Sequence, residues 1–87
     1  MDNDIIVKIK KRIRDIQIKQ KTIKILLGII LSIIELSYNN KTDIEKKTLT
    51  ITILEELVRE SNISNIERKK CMKEINNIFV DLTNNFI

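Results

Sequence analysis

The sequence predicts an all-α protein of three helices, and three observations carry that prediction. Apolar residues at Ile6, Ile9, Ile13, Ile16, Ile23, Leu27, Ile30 and Ile34 alternate steps of three and four, with Gln20 as the one polar member; this is the spacing of a heptad seam. Thr42-Asp43-Ile44-Glu45 and Ser64-Asn65-Ile66-Glu67 each have the form of a capping box, in which the first hydroxyl and the last carboxylate satisfy each other's backbone N–H groups. The chain of 87 residues has no proline and a single glycine, Gly28, so little in it interrupts a helix. Its many isoleucines, taken with the lysines and asparagines, read as an AT-rich coding bias and are discounted as a strand signal.

The first helix is expected over about residues 4–37, a rod of roughly 50 Å. The competing strand reading, from Ile16 and Ile18 and from Ile23 and Ile25, does not sustain its alternation and has no turn residues around it. Gly28 is read as a point of close packing rather than a break. Tyr38 to Lys41 forms a loop, and Thr42 starts a second helix over about 43–60. Thr48, Thr50 and Thr52 give that helix a local β-like alternation, while Ile44, Ile51, Leu54 and Val58 restore a helical face. After a turn at Ser61-Asn62-Ile63, a third helix runs over about 65–84. Its apolar face is Cys71, Ile75, Ile78, Leu82 and Phe86, with Met72 and Phe79 beside it. Short loops make the last two helices an antiparallel hairpin. The C-terminal half of the first helix is apolar nearly all round and packs against that hairpin. The basic half, residues 1–22 of one helical domain spanning 1–87, projects from it.

Charge and composition exclude several functions. Residues 1–24 hold eight basic side chains against three acidic ones, and the rest of the chain is close to balanced, so the net +4 sits at the N-terminus. The absence of histidine removes histidine-based acid–base chemistry and histidine metal ligation. Cys71 is the only cysteine. It falls on the apolar face without a base and reads as a buried structural thiol. Glu55, Glu56 and Glu60 have no second site that would complete a reaction, and no glycine-rich phosphate loop or acidic calcium loop occurs. The expectation is a non-enzymatic protein with no cofactor and no metal. The uncharged run Ile25–Ile34 covers roughly 15 Å, about half a bilayer core. It lacks the flanks of a secretory signal, which points to an intracellular protein with a buried core helix.

Two surfaces remain as candidates. The seam Ile6, Ile9, Ile13 and Ile16 with Gln20 needs a partner if its half of the helix projects, most simply a second copy of the same helix, and a polar seam residue can set register and oligomer state. The Ile23–Ile34 segment is a further candidate for the same contact. The basic face, Lys8, Lys11, Arg12, Arg14, Lys19 and Lys21, with Lys10 in the same cluster, could lie along phosphates. However, it has no aromatic residue on which bases would stack. Nucleic acid and a membrane surface therefore stand as alternatives to a helical protein partner.

Between about residues 29 and 82 the chain carries Glu45-Lys46-Lys47, Ile53-Leu54-Glu55-Glu56-Leu57-Val58 and Ile78-Phe79-Val80-Asp81-Leu82. On these pieces it resembles small helical proteins of large nucleocytoplasmic DNA viruses. It implies an interaction or assembly role, such as a minor component of a virus particle, and transfers no functional residue.

Overall fold

A computed structural model describes the backbone of residues 2–84 and the side chains of residues 3–81. The described chain is all-α: α1 spans Asp2–Ile13, α2 Ile23–Ser37, α3 Asp43–Glu60 and α4 Asn65–Asn84, with one turn of 3-10 helix at Gln20–Thr22 before α2. The hairpin of α3 and α4 has the expected boundaries, and α2 packs on it.

The first expected helix is two helices. α1 ends at Ile13, and the N–H of Ile16 donates to its carbonyl at 3.1 Å. The backbone at Lys19 is extended, with φ −147° and ψ 162°. Thr22 holds this reversal. Its hydroxyl donates to the carbonyls of Gln17 (2.7 Å) and Lys19 (3.0 Å), and its oxygen accepts the N–H of Lys19 at 3.0 Å. Threonine offers the backbone such bonds in competition with the helical ladder, and β-branched Ile16 and Ile18 favour an extended chain. The decisive gain is burial. Folded back, α1 packs on α3 and α2, and Ile6, Ile9 and Ile13 enter the chain's own core. Each such burial contributes roughly 1.5–3 kcal/mol, which a straight helix would forgo. The longest dimension of the molecule is 37 Å and its radius of gyration 12.5 Å, close to the roughly 12 Å of a compact chain of this length. A 50 Å rod with a projecting half does not fit those dimensions.

α3 lies against each of the other three helices and contributes Leu49, Ile51, Ile53, Leu54, Leu57 and Val58 to the core. α2 adds Ile23, Leu26, Ile30 and Ile34, and α4 adds Cys71, Ile75 and Ile78. Of the face expected on α4, the side chains of Leu82 and Phe86 lie outside the described residues. Ile44 is a correction: expected on the inner face of α3, it is 66% exposed in the first turn, lining an open groove that α3 shares with Ile6 of α1. The threonines of α3 lie in continuous helix and back-bond along it, Thr50 to the carbonyl of Lys46 at 2.8 Å and Thr52 to that of Thr48 at 2.9 Å. This is how Thr50 is buried without an unsatisfied hydroxyl.

The first capping box forms as expected. The Thr42 N–H donates to Glu45 Oε1 at 2.9 Å and the Glu45 N–H to Thr42 Oγ1 at 3.1 Å. The second is half formed. Ser64 Oγ accepts the Glu67 N–H at 3.1 Å, but the Glu67 carboxylate accepts the N–H of Gln20 at 2.9 Å instead, tying the 3-10 turn to α4. Arg68 closes the turn between α3 and α4, donating to the carbonyls of Val58 (3.3 Å) and Ser61 (2.8 Å) and to Asn65 Oδ1 (3.0 Å).

Because Ile9 is core, Ile9→Ala should lower unfolding stability by about 2–4 kcal/mol. Urea unfolding followed by circular dichroism checks this. A projecting seam would instead lose self-association with little change in the unfolding midpoint at low concentration.

Candidate interaction surface

The expected seam does not form a surface. Ile6, Ile9 and Ile13 are buried, Ile16 is half-buried against the same core, and Gln20 is exposed at the start of the 3-10 turn. Gln20 therefore sets no register in a helical seam; its backbone N–H anchors the turn to Glu67.

The basic residues divide by role. Lys10 reaches across to α3, with its ammonium 2.8 Å from Glu60 and 3.6 Å from Glu56. The hydrogen bond to Glu60 is the largest influence holding its pKa above the ordinary lysine value, ahead of the opposing effect of burial. Lys10, Lys11 and Arg12 occupy the last turn of α1, where cations complement the partial negative charge of the helix end. Lys8, Lys11, Arg12, Arg14, Lys19 and Lys21 are all exposed. The first three lie on α1 away from the buried isoleucines, whereas Lys19 caps the 3-10 turn and Lys21 lies within it, and that turn packs on α4. The single basic helix expected from the sequence is thus two shorter groups separated by a reversal of the chain.

Among the described residues no group of histidine, cysteine, aspartate or glutamate could hold a metal ion, and no buried polar side-chain atom lacks a partner. Cys71 is fully buried, with Sγ 3.9 Å from Glu67 Oε2. Burial first, and the Glu67 carboxylate second, push its pKa up, the opposite of an activated thiol. A groove of about 360 Å³ between α1 and α3 is lined by Ile6, Ile44, Thr48, Leu49 and Thr52 with Lys41 and Glu45 at its edge. It brings no converging set of reactive groups together.

The surface that sequence reasoning placed only in outline is the outer face of α2. Ile25 is 59% and Leu36 86% exposed, Gly28 and Ser32 lie exposed between them, and Ile29 and Ile33 are half-buried alongside. Steps of three, four and four put Ile25, Gly28, Ser32 and Leu36 on one stripe. A Cβ built on Gly28 would meet nothing within 4 Å, so nothing inside the chain requires a glycine in this helix, where it costs about 1 kcal/mol relative to alanine. The signal was present in the sequence as the uncharged run Ile25–Ile34, but an all-round apolar helix does not announce which side its own chain leaves open. Among the described residues no helix is long and apolar enough to cross a membrane. Comparison with family models, with curated proteins and with solved structures found no match.

Two outcomes follow from this geometry. Cys71 should resist a thiol reagent such as DTNB in the native protein at neutral pH and react fully once unfolded in guanidinium, read by absorbance. The raised pKa of Lys10 makes its contribution to stability fully present below the unfolded value of 10.5 and lost as pH climbs through the higher folded value. Glu60 is half exposed, so the effect is below about 1 kcal/mol. The difference in Tm between wild type and Lys10→Met should hold from about pH 7 to 9.5 and narrow above about pH 11.

Proposed function

We propose that the chain is a non-enzymatic helical assembly protein that self-associates through the outer face of α2. The observation that carries this reading is the uncovered apolar stripe of Ile25 and Leu36 around Gly28 and Ser32, on a helix whose opposite side is already in a filled core. An exposed apolar face of this kind adds nothing to the stability of the monomer and gains by meeting another apolar surface. The face carries no charge from Ile25 to Ile34, so it suits a partner of the same character, which a second copy provides. Identical copies related by a twofold axis are the most common arrangement among soluble oligomers. The setting implied by the sequence resemblance, a minor component of a virus particle, belongs to the proposal.

A contact built on one helix is small, so the association should be weak, with a Kd on the order of micromolar or above. Light scattering over roughly 1–300 μM should show the mass rising from one chain toward two. Leu36→Glu, at the most exposed large apolar residue among those described, should abolish that rise while leaving helicity and the unfolding midpoint unchanged. A wild-type chain that stays monomeric throughout sinks the reading.

A further inference from the structure

We infer that two copies meet along α2 in antiparallel orientation, with the twofold axis near Ile30 and Lys24 of each copy paired with Glu35 of the other; this rests on the self-association proposed above. At 100° per residue, Lys24 and Glu35 lie on the same flank of the Ile25–Gly28–Ser32–Leu36 stripe, and Ile29 and Ile33 lie on the opposite flank. Lys24 and Glu35 are both exposed, and within the described residues neither belongs to an ion pair.

A twofold axis perpendicular to two antiparallel helices, lying in the plane between them, keeps each flank on its own side and reverses the order along the helix. Residues equidistant from the axis therefore face each other. The midpoints of Lys24 and Glu35, of Gly28 and Ser32, and of Ile25 and Leu36 all fall between Ile29 and Leu31. One register thus does three things together. It sets glycine against serine at the centre, where small side chains let the backbones approach. It sets isoleucine against leucine at both ends of the stripe, and it forms two reciprocal Lys24–Glu35 pairs on one side. Ile29 and Ile33 of both copies share the other side. In a parallel dimer the twofold axis runs along the helices and exchanges the flanks. Lys24 and Glu35 of each copy would then face the flank that carries Ile29 and Ile33 in the other, with no opposite charge to meet them. Charge complementarity therefore selects the antiparallel dimer and identifies the second copy as the occupant of this face.

The test is a charge exchange in the full chain, with dimer Kd read by sedimentation equilibrium and folding checked by circular dichroism. Lys24→Glu and Glu35→Lys should each weaken the dimer by roughly three- to tenfold, since attraction becomes repulsion at two symmetric contacts. The double variant Lys24→Glu/Glu35→Lys should recover wild-type affinity. A wild-type dimer with indifferent single variants, or a double variant weaker than either single one, overturns the antiparallel register while leaving self-association standing. A monomeric wild type overturns both. So does a monomer that floats with phosphatidylserine-containing vesicles, which would make the α2 face a lipid contact.

Discussion

Three isoleucines on α1, Ile6, Ile9 and Ile13, require an apolar cover, and the remainder of the fold follows from their finding it inside the same chain. A helix of 12 residues is marginal by itself in water, so α1 is helical because it is docked. Docking needs a reversal of the chain, and the reversal needs its exposed backbone groups satisfied. Thr22 satisfies those of Gln17 and Lys19, and the Glu67 carboxylate satisfies Gln20. Lys10 then sits over the C-terminal turn of α3, pairing with Glu60 and Glu56.

The same fold-back determines what is left outside. α2 receives α1, α3 and α4, which cover Ile23, Leu26, Ile30 and Ile34 completely. The two longest neighbours, α3 and α4, are tied to each other by Arg68, so neither is available to wrap around the far side of α2. An apolar helix in a small domain therefore keeps a bare stripe. The interior is closed, and its buried polar side-chain atoms are satisfied among the described residues. The bare stripe, with Ile25 and Leu36 open to water, is where α2 can still gain by meeting another apolar surface.

The basic excess at the N-terminus has more than one structural use. Lys10 bridges α1 to α3 and the last turn of α1 gathers cations at its negative end. Lys8, Lys11 and Arg12 remain facing solvent.

Local chemistry was legible in the sequence because its causes are local. The Thr42–Glu45 box, the boundaries of α3 and α4, the burial of Cys71, Ile75 and Ile78 and the all-α class follow from spacing and from side chains within a few residues of the groups they serve. Ser64 and Glu67 show where that legibility ends: the serine caps its helix as expected, but the carboxylate turns to Gln20, 47 residues away. The break between Ile13 and Ile23 is of the same kind. A heptad seam reads identically whether its cover is a second chain or a helix of its own, since periodicity records which side of a helix is apolar and not what lies against it. Sequence by itself thus determined the helices that are capped locally and the absence of histidine-based chemistry. Only the tertiary structure decided that the seam folds inward and that α2 keeps an uncovered stripe, because both depend on which apolar faces of one chain can reach each other.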